Sequence, residues 1–196
     1  MRSFFKRYPV ALWPIACAMA ILLLVAGGIV VRHALRLDLD LTWNGEWFRV
    51  LTAHWVHLGW QHGLLNAGGF LLVAWVYPKG HWLAWIGFYV FSSICISSVL
   101  LFDDSISSYV GASGVLHGLL ILAAYFSRWL EPWRRYLMIA VICAKLIWEQ
   151  SPWYSDVSVG AVIGGNIATN AHLIGGLCGL LIIVIYLLKM RLIPNR

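Results

Sequence analysis

The apolar residues of this chain form six long stretches, and short polar segments separate them. A helix needs about 20 mostly apolar residues to cross the hydrocarbon core of a bilayer, and each stretch is near that length. The first is too long for the core of a signal peptide and lacks a convincing cleavage site, so we expect it to be retained. The predicted spans cover about 10–31, 63–78, 82–102, 111–129, 133–150 and 161–189.

The composition agrees with this pattern. Hydrophobic residues make up 61% of the 196 residues and charged residues only 11%, and the mean hydropathy is +0.80. A soluble domain is usually about 45–50% apolar and about 25% charged. We therefore predict an all-α integral membrane protein: a six-helix bundle that occupies residues 1–196 as one transmembrane domain, with the lipid bilayer around it.

The positive charges indicate membrane topology rather than nucleic-acid binding. The net charge is +6, but the cations lie in short clusters between the apolar stretches. With a cytoplasmic N-terminus, ten cations fall on the inner side and three on the outer side, as the positive-inside rule requires. We expect both termini to be cytoplasmic. The inner set is Arg2, Lys6, Arg7, Lys79, Arg128, Arg134, Arg135, Lys189, Arg191 and Arg196; the outer set is Arg32, Arg36 and Arg49.

Four polar residues lie within three different apolar stretches: His62 and Asn66, Ser113, and His172. In this topology all three stretches enter from the outer side. At 1.5 Å rise per residue, the four side chains lie roughly 5–15 Å below the outer surface. Polar groups are costly at that depth and usually mark a function or pair with each other. The set contains a nucleophile, a base and an amide, which a hydrolase requires.

The spacing within two of the stretches adds chemistry. His62 and Asn66 are four residues apart, so they share one face of a helix and can donate hydrogen bonds toward one point. Such donors next to a serine are typical of an oxyanion hole. Ser113 lies between Gly111 and Gly114, where a loop becomes a helix, and the first amides of that helix are free to donate.

The third stretch supplies the candidate base. Gly175 and Gly179 follow His172 at the spacing that allows close contact between helices. Such contact would bring His172 within hydrogen-bond reach of Ser113.

We expect no carboxylate at the depth of this histidine. Glu149 is the only carboxylate near that depth, and Lys145, one turn earlier, is its expected partner. The residues therefore predict a Ser–His dyad rather than a triad.

These motifs resemble those of the rhomboid family of intramembrane serine proteases. The similarity covers the six-span layout. It also covers the element Glu46-Trp47-Phe48-Arg49, which resembles the tryptophan–arginine motif of the family's first outer loop. The matching motifs, in order, are His57 with His62-x-x-x-Asn66, then Gly111-Ala112-Ser113-Gly114, then Ala171-His172-x-x-Gly175-x-x-x-Gly179.

The resemblance implies a role for each matching residue. Ser113 would be the nucleophile, and His172 the general base. The oxyanion would be bound by His62, Asn66 and the backbone N–H of Ser113. His57 would support the site near the attacking water. No cofactor is implied.

Two positions depart from the family pattern. His117 stands where many rhomboids carry a tyrosine stacked on the base, and it could support His172, contact substrate or compete as base. Ala53 replaces a common histidine, with His54 one position later. A compact rhomboid with Gly-x-Ser-Gly-Val-Leu-His most resembles the rhombosortase branch. That branch implies a bacterial inner membrane, a site open to the periplasm, and exported substrates with a C-terminal Gly-Gly motif, a hydrophobic span and a basic tail.

Two other classes of function remain open on the sequence. A catalytically inactive rhomboid-like protein would bind single-span clients without cleaving them, and would not react with a fluorophosphonate. A metal-dependent membrane hydrolase or desaturase would use the membrane histidines, but the carboxylates such sites normally contain are missing from the pattern. Its candidate ligands are His54, His57, His62, His117 and His172.

Overall fold

The structure is a computed structural model that describes residues 12–77 and 82–192. The described residues are mostly helical, with one short antiparallel strand pair. The elements are α1 (Leu12–Ala26), α2 (Gly28–Leu35), β1 (Leu37–Asp38), α3 (Leu39–Trp43), α4 (Arg49–Thr52), α5 (Trp60–Val76), α6 (Trp82–Leu100), β2 (Ser108–Tyr109), α7 (Ser113–Phe126), α8 (Pro132–Glu149), α9 (Val157–Ile163) and α10 (Thr169–Leu192).

Two of the described helices, α6 and α10, are long and apolar enough to cross a membrane. A third span is counted if α1 and α2 together form one broken span. The helix that begins at Ser113 is apolar but has only 14 residues. The chain is thus a mostly helical protein with candidate membrane spans, and the full set of six spans stays a prediction.

The first predicted span is corrected to a broken one, because its first helix ends at Ala26. The helix was expected to continue to Val31, but α2 leaves α1 at an angle of 113°. The break falls at Gly27 and Gly28, and Gly28 has a φ of +65°, in the left-handed region that ends an α-helix. The predicted start of this span, at Val10, lies outside the described residues.

The last predicted span is also corrected. It was expected to begin at Ala161, but that residue belongs to the separate short helix α9. Gly164 caps α9 with a φ of +85°, and the chain turns before α10 starts at Thr169. The helices of the other four predicted spans, α5 to α8, have the predicted bounds to within a few residues, except that Pro78, the predicted end of the second, lies outside the described residues.

Helices α7 and α10 pack backbone against backbone. A Cβ atom at Gly114 would lie 2.6 Å from the carbonyl oxygen of Ala171, and one at Gly179 would lie 2.8 Å from that of Gly118. Side chains at these positions would push the helices apart. This packing is the close contact that the Gly175 and Gly179 spacing predicts, because small residues let two membrane helices approach closely.

The segment between α2 and α5 is held by the buried Arg49. Its guanidinium donates to Glu46 Oε2 at 2.7 Å and to the carbonyl oxygens of His33 and Arg36 at 3.1 and 2.9 Å. Strand β1 of this segment pairs with β2, just before the loop that precedes α7. The predicted tryptophan–arginine element therefore ties the segment to the end of α2, beside the loop that carries Ser113.

Candidate active site

Ser113 is the first residue of α7, and the loop before it has a conformation that requires glycine. Gly111 has a φ of +119°, and a Cβ there would lie 2.8 Å from Cε1 of His62. The amide of Gly111 donates to the carbonyl of Ala53, and the hydroxyl of Tyr109 donates to the carbonyl of Gly111. The loop is thus held on both sides, and the first amides of α7 have no partners inside the helix.

The predicted serine and histidine are in direct contact. Ser113 Oγ lies 2.8 Å from Nε2 of His172, although 59 positions separate them in the chain. Close packing of α7 on α10 produces this contact. Ser113 is part-buried and His172 is buried, which keeps most bulk water away from the pair.

The expectation that no carboxylate lies at the depth of His172 is wrong. Glu149, the last residue of α8, places Oε2 at 2.9 Å from Nδ1 of His172. Its other carboxylate oxygen, Oε1, accepts from Nζ of Lys145 at 2.5 Å, so the predicted Lys145–Glu149 pair is also present. Glu149 therefore contacts both Lys145 and His172. Ser113, His172 and Glu149 form a chain of two hydrogen bonds, from the hydroxyl through the imidazole to the carboxylate.

The sequence contained a signal for this contact. Glu149 ends an apolar helix whose last turn reaches the end of the bundle where α7 and α10 begin. The i,i+4 spacing predicts one partner, Lys145, whereas a carboxylate has two oxygens and can accept from two partners.

The contact with Glu149 determines which nitrogen of His172 carries the proton. An ionised carboxylate can only accept hydrogen bonds, so Nδ1 must donate. In the neutral ring Nε2 then has the lone pair and accepts from the hydroxyl of Ser113. This is the tautomer that a general base requires.

His62 and Asn66 lie in the same site on α5. Leu58 N donates to Nδ1 of His62 at 3.4 Å, which leaves the proton on Nε2, the nitrogen closest to Gly111. Asn66 Nδ2 donates one hydrogen to the carbonyl of His62 at 2.9 Å, and the amide has a second hydrogen to offer. Both side chains can therefore present a donor to a group bound beside Ser113.

His117 contacts both Ser113 and His172. Its Nδ1 is 2.7 Å from the carbonyl oxygen of Ser113 and donates to it. Its ring lies against that of His172, with centroids 4.5 Å apart and an interplanar angle of 32°. The ring of His117 therefore supports one face of the His172 ring. The contact of His117 with Ser113 is to the backbone carbonyl and not to the hydroxyl.

Two further histidines lie in the segment before α5 and remain neutral. Burial lowers the pKa of His57 to about 3 and that of His54 to about 4. The ring of His57 packs edge-on against His62, with centroids 4.9 Å apart. His54 is fully buried and lies 3.0 Å from the hydroxyl of Ser97. His57 therefore adjoins the site, and His54 stabilises the bundle.

A cavity of about 500 Å³ opens at the Ser113 end of the helices. Its wall includes His62, Asn66, Ser113 and His172, which the sequence predicted from three separate stretches. Arg32 and Arg36 also line it, together with part of the segment that contains β2. The cavity can admit water and an extended peptide segment to the serine hydroxyl.

The side chains nearest to a metal-binding arrangement are His117, Glu149 and His172, whose donor atoms lie within 4.8 Å of one another. Those donors already have other partners. Both ring nitrogens of His172 are bonded, Nδ1 of His117 donates to a carbonyl, and an ammonium group contacts Glu149. A bound cation would have to displace either the Ser113 contact or the Glu149 contact of His172 and lie beside Lys145, so this set fits a metal poorly.

The comparison with protein-family models gives one match. The model of the Rhomboid domain matches residues 44–189, about three quarters of the chain, and this range includes Ser113, His172 and Glu149. The chain matches no curated protein.

Proposed function

Because this chain belongs to the rhomboid family of intramembrane serine proteases, we propose that it hydrolyses peptide bonds of membrane proteins, with Ser113 as nucleophile and His172 as general base. The observation that carries this proposal is the 2.8 Å contact between Ser113 Oγ and His172 Nε2 at the wall of an open cavity. A hydroxyl is a weak nucleophile at neutral pH, and an adjacent base in this position activates it.

The reaction proceeds in two halves. Ser113 Oγ attacks the scissile carbonyl carbon as its proton passes to Nε2 of His172. The tetrahedral intermediate collapses, the C–N bond breaks, and His172 gives the proton to the leaving amine. Water that enters the cavity then attacks the acyl-enzyme as its proton passes to His172. The bond from the acyl carbon to Ser113 Oγ breaks, His172 returns the proton to Oγ, and the new carboxyl terminus is released.

The negative oxygen of the intermediate is stabilised by donors around Ser113. His62 Nε2, the second hydrogen of Asn66 Nδ2 and the backbone N–H of Ser113 are the candidates. These groups belong to α5 and to the first turn of α7, so they are in place before the charge develops. Donors held in this way stabilise the transition state at little reorganisation cost.

The sequence motifs extend the proposal to location and substrate. Both termini are cytoplasmic, and the cavity opens to the periplasmic side of a bacterial inner membrane. The substrates are single-span exported proteins with a Gly-Gly motif before a hydrophobic span and a basic tail, as in the rhombosortase branch. Glycine at the cleaved position suits an enclosed site, because a chain without side chains can approach Ser113 closely.

Replacement of the serine tests the mechanism. Ser113→Ala is expected to abolish cleavage of a single-span substrate in proteoliposomes, while the protein still folds and inserts. Ser108→Ala, on the wall of the same cavity, is the matched control and is expected to cleave normally. Fluorophosphonate labelling of wild-type Ser113 separates an active protease from a protein that only binds clients. Cleavage by Ser113→Ala at the wild-type rate would refute the proposal.

The substrate class has its own test. The protein is co-expressed with an exported reporter that ends in a Gly-Gly motif, a hydrophobic span and a basic tail, and mass spectrometry identifies the new C-terminus. A reporter with Val-Val in place of Gly-Gly is the control and is expected to stay intact. Equal cleavage of both reporters would contradict the branch assignment and leave the protease mechanism standing.

A further inference from the structure

We propose that Glu149 is a positioning residue for His172, so that Ser113, His172 and Glu149 act together as a Ser–His–Glu triad rather than as a dyad. This inference rests on the proposed protease function. It concerns a residue that the sequence pattern had paired with Lys145 alone.

The contacts place Glu149 in a role that a simple helix ion pair does not have. The carboxylate side chain is 4% exposed and bonds to a histidine on another helix, 23 positions away. Lys145 is 47% exposed and lies one turn earlier on the same helix. A pair that served only α8 could lie on its surface, whereas this carboxylate is buried against the candidate base.

Lys145 holds the carboxylate in one orientation. Oε1 accepts from the ammonium group and Oε2 accepts from the imidazole, so each oxygen has its own partner. A half-turn of the carboxylate would exchange the two oxygens and restore both contacts, whereas any smaller rotation would weaken them. The lysine also offsets part of the cost of burying a negative charge beside an uncharged ring.

The carboxylate acts at the moment of proton transfer. When Ser113 loses its proton to Nε2, the ring becomes a cation with hydrogens on both nitrogens. The ionised carboxylate faces the Nδ1–H and stabilises that cation without taking the proton. When Nε2 later protonates the leaving amine, the ring returns to the neutral tautomer that Glu149 had selected.

Substitution by glutamine gives a sharp test, because Lys145 determines how the amide faces. The ammonium group can bond only to the amide oxygen, so the NH2 group is turned toward Nδ1 of His172. The ring must then carry its proton on Nε2 and cannot accept from Ser113. We expect Glu149→Gln to lower kcat by about 10²- to 10⁴-fold with little change in KM. Glu131→Gln, at the opposite end of α8, is the control and is expected to retain wild-type kcat.

A double variant separates positioning from structure. In Glu149→Gln/Lys145→Met the amide is free to rotate, so its oxygen can accept from Nδ1 and restore the productive tautomer. We expect kcat at least about 10-fold above that of Glu149→Gln alone. A purely structural role predicts the opposite, since the second substitution removes another contact. A double variant no more active than Glu149→Gln would overturn the proposal, as would wild-type kcat in Glu149→Gln.

A further variant covers the case in which Glu149→Gln does not fold. Glu149→Asp keeps the charge but shortens the reach to Nδ1, and is expected to slow fluorophosphonate labelling of Ser113 at an unchanged melting temperature. Labelling at the wild-type rate would contradict the triad. Ser113→Ala is assayed in parallel: if it cleaves normally the protease function fails, whereas loss in Ser113→Ala with full activity in Glu149→Gln refutes only the triad.

Discussion

His117 lies against His172 with ring centroids 4.5 Å apart, while its Nδ1 donates to the backbone carbonyl of Ser113 at 2.7 Å. One side chain thus contacts both the candidate base and the residue that carries the candidate nucleophile. Its contact with Ser113 is to the carbonyl oxygen, and the hydroxyl of Ser113 is bonded to His172 instead. This geometry favours support of the base over competition with it.

Replacement of His117 distinguishes these two roles. His117→Phe keeps a ring against His172 and is expected to retain kcat within about 2-fold. His117→Ala removes the ring, and a contact worth about 0.5–1.5 kcal/mol corresponds to a loss of about 2- to 10-fold in kcat. The kcat of each variant is measured by steady-state cleavage of a single-span substrate. If His117 were the base, both variants would be as inactive as Ser113→Ala.

The oxyanion donors are tested by separating kcat from KM. A contact made only in the transition state lowers kcat and kcat/KM equally. We expect His62→Ala and Asn66→Ala each to lower kcat by about 10²- to 10³-fold with KM nearly unchanged. Gln61→Ala, an exposed neighbour on α5, is the control and is expected to behave as wild type. A rise in KM with unchanged kcat would assign His62 and Asn66 to substrate binding instead.

Glycine-to-alanine substitutions at two positions are expected to have opposite outcomes, because one glycine lies in the contact between α7 and α10 and the other does not. A Cβ at Gly175 would collide with the backbone of Gly114, so Gly175→Ala must separate the helices and pull His172 from Ser113. We expect a lower melting temperature and loss of most cleavage. In α6, a Cβ at Gly87 would meet no atom within 4 Å. Gly87→Ala is therefore expected to retain activity and to stabilise the helix by about 0.5–1 kcal/mol.

Thermal unfolding in detergent and fluorophosphonate labelling measure the two glycine variants. Labelling reports whether His172 still activates Ser113, independently of substrate access to the cavity. Wild-type melting and labelling in Gly175→Ala would show that the helices tolerate a larger separation than the structure indicates.

Local patterns identified most of the candidate site. Gly111, Ser113 and Gly114 mark the start of a helix, and the four-residue spacing of His62 and Asn66 places them on one face wherever that helix lies. Residues that are close in sequence on a helix are close in space, so such features do not depend on the rest of the fold. The helical class followed in the same way from the long apolar stretches.

Two changes of backbone direction do not show in the apolar pattern, and both have a specific cause. The bend at Gly27 and Gly28 was missed because an apolar pattern continues through it, whereas the backbone does not. The separate helix before Gly164 was missed for the same reason. Hydrophobicity reports burial or membrane depth, and it says little about backbone direction at a glycine.

By itself the sequence determined the helical class, the apolar stretches and the motifs on each one, because these depend on composition and spacing within a single stretch of the chain. Only the tertiary structure decided that His172 reaches Ser113 at 2.8 Å, that Glu149 reaches the far nitrogen of the same ring at 2.9 Å, and that His117 supports its face. Those contacts depend on how α7, α8 and α10 pack. That packing is set by the distance between the helix axes and by the rotation of each helix about its own axis. Both quantities depend on many side chains that are distant in sequence.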